Sequence, residues 1–361
     1  MADLQGLKCP CCGGAIEFNS SVQKMKCPYC DTEFDMDTLK AYDDELSNDG
    51  TGDMNWNTDT IGTWSDSDSD GLGVYVCSSC GGEIVADENT AASICPFCDS
   101  PVTLKGHLMG DLKPDYIIPF KLDKQAAKAK FNEHLKGKKL LPRVFKDEAH
   151  IDEIKGMYVP YWLFDSTVTA HMRYKATRLR TWSDSDYDYT ETSYFSVIRE
   201  GDVSYSHVPV DGSEKMADDL MESLEPYDFE DAVPFQTAYF AGYYADKYDV
   251  DEKTSSARAN ERMRHSTETQ FMQTVHGFSS VIPDGGSMQL VEGKAGYAMY
   301  PVWILNTTWN GDRYMFAMNG QTGKFVGNLP SDKHLMKKYF ARTLALTAVI
   351  SYAVLALIWL I

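Results

Sequence analysis

Residues Lys8–Asp31 read "KCPCCGGAIEFNSSVQKMKCPYCD": two Cys-x-x-Cys pairs, Cys9/Cys12 and Cys27/Cys30, with 14 residues between them. The arrangement returns at a constant offset of 68, as Cys77/Cys80 and Cys95/Cys98, and Ile16 corresponds to Ile84. A Cys-x-x-Cys turn sets two thiolates on one side of a tight knuckle. Glycines after it supply positive φ, and two knuckles complete a tetrahedron. The spacing predicts two zinc ribbons, with Cys9, Cys12, Cys27 and Cys30 on one Zn²⁺ and Cys77, Cys80, Cys95 and Cys98 on another. Iron and redox disulfides are the alternatives. Each unit spans 22 residues, too few for a core, so metal binding worth about 10–16 kcal/mol would supply the folding energy. Four cysteine ligands leave no open position, which makes the sites structural. Alignment of the repeats selects Cys12 and leaves Cys11 a spare surface thiol.

The setting of these cysteines bounds the rest. "MADLQGLKCP" has no apolar core of signal-peptide length, so a reducing compartment with metal-bound thiolates is expected. The chain of 361 residues has 53 acidic and 34 basic side chains, a net charge of −19. From Ala41 to Leu104 there is no Lys or Arg against 13 Asp or Glu, and the first ribbon sets Lys8, Lys24 and Lys26 against five acids. Nucleic-acid binding depends on Lys and Arg neutralising phosphates. Eight thiolates with two Zn²⁺ only deepen the negative balance. Nucleic acid is therefore not the expected partner, and the ribbons read as protein-docking modules.

The C-terminal end differs. "TLALTAVISYAVLALIWLI", Thr343–Ile361, has no charge, Gly or Pro over 19 residues, and ten of them are Leu, Ile or Val. At 1.5 Å per residue such a helix spans about 28 Å, close to a bilayer's hydrocarbon thickness. A buried helix of a soluble core is the bland alternative. Lys333, Lys337, Lys338 and Arg342 precede it, so the N-terminal part is expected to stay cytoplasmic. Thr343, Thr347 and Ser351 recur every fourth residue, a small-residue face on which another helix could pack or which lipid simply bathes.

The expected fold is α+β. It comprises a first zinc ribbon (1–36), an acidic linker (37–71), a second ribbon (72–104), an α+β domain (111–332), a basic juxtamembrane segment (333–342) and a transmembrane helix (343–361). The linker composition, rich in Asp, Asn, Ser, Thr and Gly, reads as flexible. "TWSDSD" occurs at Thr63–Asp68 and at Thr181–Asp186, either as two solvated turns or as a docking tag anchored by Trp64 and Trp182. In the α+β domain, "DYIIPFKL" reads as a strand and "DKQAAKAKFNEHLKG" as a helix from Asp123 stopped by Gly137. Aromatic and β-branched runs at 157–174 and 194–210 read as strands and hairpins. A helix capped by Ser213 and ended by Pro226 follows, then a longer polar helix from Glu252 to His276. The final strands turn at Asn310-Gly311 and Asn319-Gly320. Pro160-x-Trp162 lines up with Pro301-x-Trp303, which suggests duplication, and both tryptophans read as core.

Catalytic patterns are missing: there is no H-E-x-x-H, G-x-S-x-G or G-x-G-x-x-G after a strand, and "GQTGKF" at Gly320 lacks P-loop spacing. No enzyme activity is expected. The paired CGG…CPxCD segments, "KGMYVPYWLFD", "VPVDGSEKMADDLMESLEPYD", "ADKYDVD", "FAMNGQTGKFVG" and the terminal apolar helix resemble a bacterial family. It is labelled transcription factor IIB-type zinc-ribbon, or primosomal protein N′-like. That resemblance implies a membrane-associated protein that helps place SPFH (flotillin-like) and phage-shock proteins at the membrane, with the eight paired cysteines as zinc ligands. The helicase label has no Walker motif here to rest on. The combined reading is a cytoplasm-facing, tail-anchored adaptor whose partners are the membrane and other proteins. A nucleic-acid or transcription-linked protein is the alternative, and an enzyme on a lipid or protein substrate stands third.

Overall fold

Asp123 opens the clearest local element. Its carboxylate accepts the amide N–H of Ala126 at 2.7 Å, and Gly137 at φ +82° lets the chain turn away after the last turn. The structure is a computed structural model that describes residues 9, 16–19, 24–29, 31–35, 56–58, 61–65, 71–87, 94–106, 111–151 and 153–360. Along the chain, β1 (Glu17–Asn19), β2 (Lys24–Lys26) and β3 (Glu33–Phe34) form a small antiparallel sheet. Then come β4 (Leu72–Cys77), β5 (Glu83–Asp87), β6 (Val102–Gly106), β7 (Tyr116–Ile117), α1 (Lys124–Leu135) and the one-turn α2 (Glu148–Ile151). Two long strands follow, β8 (Lys155–Ser183) and β9 (Asp188–Asp211), before α3 (Asp218–Leu224), β10 (Val233–Pro234), β11 (Tyr244–Asp246) and α4 (Glu252–Gln273). The chain ends with β12 (Ser280–Trp309), β13 (Asp312–Asn319), β14 (Phe325–Gly327) and α5 (Lys333–Leu360). The class is mixed α+β.

Two compact units share the chain. One comprises Met1–Asp59, Leu163–Pro209 and Lys253–Ala295. In it β9 pairs with β8, and α4 packs through Ser255, Ala259, Met263, Thr267 and Phe271, one residue every fourth position. That spacing keeps a single face toward the sheet. Tyr205 of β9 donates its hydroxyl to the carbonyl of Met263 at 3.1 Å and lies 2.7 Å from the hydroxyl of Thr267, joining strand to helix. Ala170, Met172, Tyr174, Phe271 and Val275 make the local core.

The other unit comprises Thr60–Trp162, Val210–Glu252 and Gly296–Ile361. Its strand order is β10-β7-β12-β8-β11-β5-β4-β6, with β13 and β14 added to β12. The β7/β12 and β8/β11 pairs are parallel. Ala127, Phe131 and Leu135 of α1 bury against Trp303, Leu305, Phe316 and Met318, and a fully buried Phe contributes roughly 1.5–3 kcal/mol. Trp162 is fully buried and Trp303 nearly so, both in the core as expected.

Several local expectations change. The 157–174 and 194–210 runs are parts of continuous 29- and 24-residue strands. Ser213 does not cap α3; it is buried and donates its hydroxyl to Asp246, and Ala217 holds the N-cap position. Asn310 and Gly311 both take positive φ, as the turn requires, but at the second turn the left-handed residue is Gly323. There the buried Asn319 amide donates to the carbonyl of Leu224 at 3.0 Å. Within the acidic segment, Asn57 bridges Lys294, and the amide of Trp64 donates to the carbonyl of Asp111 at 2.9 Å. The two "TWSDSD" copies diverge. Trp64 is 6% exposed and edge-on to Phe235, so it cannot serve as an accessible anchor. Trp182 is half-exposed and stacked on Tyr189, beside a turn in which the Asp184 carboxylate accepts the amides of Asp186 and Tyr187.

Candidate metal centre

Cys77 ends β4, Cys80 lies in the turn to β5, and Cys95 and Cys98 come from the connection between β5 and β6. At Cys77 the amide donates to the carbonyl of Gly82 at 3.0 Å, and the amide of Gly81 returns to the carbonyl of Cys77 at 2.8 Å. At Cys95 the partners are Ser100 (2.8 Å) and Asp99 (3.1 Å) in the same two roles. The fourth residue after the leading cysteine is left-handed both times, Gly81 at φ +73° and Asp99 at φ +58°. Each knuckle thus points its pair of sulfurs inward.

The sulfurs converge. Cys77 Sγ lies 3.5 Å from Cys98 Sγ, Cys80 Sγ lies 3.7 Å from Cys95 Sγ, and all four are within 4.8 Å of one another. A tetrahedron with metal–sulfur bonds of about 2.3 Å has sulfur–sulfur edges of about 3.8 Å, whereas a disulfide needs about 2.05 Å. The donor set therefore fits a tetrahedral ion. Cys77, Cys95 and Cys98 are buried and Cys80 is half-buried. Burial pushes the Cys80 and Cys95 thiols up. Burial also acts against Cys98 ionising, but hydrogen bonds from Ser100 and from the neighbouring thiols prevail and bring it to about 6. Uncompensated, four thiolates this close would repel one another, and a cation is what allows them to coexist.

Elements distant in sequence hold the second knuckle. Lys155, at the start of β8, pairs with the Asp99 carboxylate at 2.7 Å, and the Asn306 amide of β12 donates to the carbonyl of Pro96 at 2.6 Å. Lys105 and Lys247 both pair with Glu83. The local acidity read from residues 41–104 is thus partly neutralised by lysines from outside that stretch. Lys155 and Asn306 carried no sequence signal. The repeated Asp31 and Asp99 after "CPYC" and "CPFC" did, because Asp tolerates left-handed backbone.

Of the first cysteine set, Cys9 and Cys27 are buried with Met25 and Phe34. Cys27 repeats the knuckle: its amide donates to Thr32 at 3.0 Å, Asp31 returns to its carbonyl at 2.9 Å, and Asp31 has φ +56°. Cys12, Cys30 and the leftover Cys11 lie outside the described residues, and so does the expectation of a first four-sulfur site. Among the described residues, Cys77, Cys80, Cys95 and Cys98 form the one group able to hold a metal ion.

The other candidate element is α5. It is long and apolar enough to cross a membrane, and Leu344, Leu346, Val349, Ile350 and Leu355 are exposed along it. The basic residues from Lys333 to Arg342 are its first turns rather than a separate segment. Thr343 and Thr347 donate their hydroxyls to backbone carbonyls one turn back, Tyr339 at 2.7 Å and Thr343 at 3.0 Å, so the face they present is methyl.

No family model matches the chain, and no solved structure does. It is 37% identical over 238 residues to the protein YdjG of Bacillus subtilis (strain 168), an alignment covering 66% of this chain and 70% of that protein. That relative's name states no activity.

Proposed function

The chain belongs to the family of YdjG, and from that membership and the geometry above we propose that it is a membrane-tethered, cytoplasm-facing zinc-ribbon adaptor. The eight cysteines Cys9, Cys12, Cys27, Cys30, Cys77, Cys80, Cys95 and Cys98 hold two structural Zn²⁺ ions. The ribbons dock partner proteins of the SPFH or phage-shock type, and α5 holds the assembly at the bilayer with its lysine-rich end on the cytoplasmic side. The observation that carries the reading is one unit holding both a closed four-sulfur cluster and a 28-residue helix long and apolar enough to cross a membrane. A closed cluster has no coordination position for a substrate, so its use is to shape a surface. The Cys27 knuckle, built like the two around the second cluster, supports a second ion. Affinity capture of flotillin-like partners by the full chain in detergent tests the proposal. Cys27→Ser and Cys95→Ser are expected to abolish recovery, and equal recovery would refute docking through the ribbons.

A further inference from the structure

A groove of about 730 Å³ opens where α5 leaves the folded part of its unit. Lys333, His334 and Lys337 of α5 line one wall, and Trp309 and Tyr314, at the facing ends of β12 and β13, line the other. The two rings contact each other at 6.4 Å between centroids. Lys333 and Lys337 stand one turn apart, so their ammonium groups share a face. Among the described residues neither has an ion-pair partner, although the chain carries 53 acids against 34 bases. Two carboxylates also border the groove. Asp332 is engaged as the cap of α5, accepting the amides of His334 at 2.7 Å and Leu335 at 3.2 Å. Its bonds occupy those first-turn donors, so a ligand would be held by side chains and not by the helix terminus. Asp312 is the exposed first residue of β13.

We propose that this groove binds the phosphate of an anionic phospholipid headgroup in the leaflet that α5 enters. The inference rests on the membrane reading of α5. Counted at 1.5 Å per residue, Lys337 stands about 9 Å and Lys333 about 15 Å above Thr343, where the uncharged stretch begins. The headgroup layer is about 5–8 Å deep on each side, and lysine stems reach toward it by snorkelling. Trp and Tyr favour that same depth, because their rings are apolar and their N–H or O–H groups are not. Below the groove the exposed Leu344 and Leu346 offer acyl chains a surface that a soluble phosphate could not use. Cations at the polar level above an apolar stem match an amphiphile with a phosphate head.

The full chain is reconstituted in vesicles of phosphatidylcholine mixed with phosphatidylglycerol, gently extracted, and its retained lipids counted by mass spectrometry. The wild type is expected to retain phosphatidylglycerol above its bulk share. Lys333→Gln and Lys337→Gln each lower that enrichment about fivefold, the factor equivalent to about 1 kcal/mol per cation at an anionic surface, and Lys→Arg at both positions preserves it. Retention at the bulk ratio by the wild type overturns the proposal, as does undiminished enrichment in the double glutamine variant. If inorganic phosphate displaces the lipid and binds the lipid-free chain equally well, the groove belongs to soluble phosphate and the lipid assignment fails. Flotation of the same vesicles separates the premise: a chain that does not float refutes the membrane anchor, and one that floats without headgroup preference refutes only the groove.

Discussion

Gly81, Asp31 and Asp99 hold one left-handed position in three knuckles, and that shared conformation makes the site testable residue by residue. A Cβ placed on Gly81 would meet nothing within 4 Å, so any cost of substitution there is backbone strain alone. Gly81→Val should cost about 1–2 kcal/mol and release metal to a competing chelator at lower chelator concentration. Gly81→Asp should cost less, since Asp fills the equivalent place twice, and equal losses for the two would contradict the conformational account. The cysteine spacing pointed to the four sulfurs that converge at Cys77, Cys80, Cys95 and Cys98, and the trailing Asp marked the turn. What spacing could not show is that Lys155 and Asn306, 56 and 210 residues from their partners, clamp the second knuckle. Ser213 illustrates the same limit: it had the right type and place for a cap but bonds the buried Asp246 instead. Burial holds the Asp246 carboxyl well above its usual range. The folded state therefore keeps a proton that the unfolded chain releases above about pH 3.9, so this group makes stability decline as pH rises from there. Asp246→Asn should raise the melting temperature at neutral pH and change it little below about pH 4. A variant less stable than wild type at pH 7 would show that the carboxylate is charged and paired.

Among the elements, α1 was legible because every signal agreed: an acidic cap, a run of alanines, apolar residues on one face and a terminal glycine. Its stability divides between cap and core. Asp123→Ala removes one capping bond and should cost about 1 kcal/mol, whereas Phe131→Ala empties a fully buried site and should cost about 3–5 kcal/mol. Thermal unfolding of the two variants checks the order, and a larger loss for Asp123→Ala would place the stability of α1 in its own hydrogen bonds. The long strands were legible only in part. β9 alternates exposed and half-buried residues over most of its length, the pattern of a sheet with one covered face. Their lengths were not readable, because glycines that look like breaks lie inside them. Gly286 sits within β12, and a Cβ there would fall 2.4 Å from the carbonyl oxygen of His171. The glycine marks a close approach of neighbouring backbones rather than the end of a strand. Composition likewise suggested flexibility around residues 56–65, where Trp56 packs edge-on to Phe164 and Trp64 to Phe235.

At the scale of the molecule, the proposed metal binding and membrane attachment would draw on separate free energies, although the second cysteine cluster and α5 belong to the same unit. The knuckles are tied into the sheet: β4 pairs with β5, Val85 of β5 faces Ala245 of β11, and β11 runs parallel to β8. On the proposed reading, loss of the ion would leave four crowded, mostly buried sulfurs without a compensating cation, and the strain would pass along β5 into β11. Attachment through α5 would depend instead on burying its 19-residue uncharged stretch, ten of whose residues are Leu, Ile or Val, in hydrocarbon, to which thiolates contribute nothing. A strong chelator applied to the full chain in vesicles should therefore lower the melting temperature of the unit and abolish partner capture, while the chain still floats with lipid. Readdition of Zn²⁺ should restore both lost properties under reducing conditions. Release from the vesicles on chelation would mean that the cluster, not α5, makes the membrane contact. Full partner capture after complete metal removal would mean that docking uses a surface the cysteines do not shape. The converse variant, truncated before Thr343, should keep its metal and its partners and remain in the supernatant after ultracentrifugation.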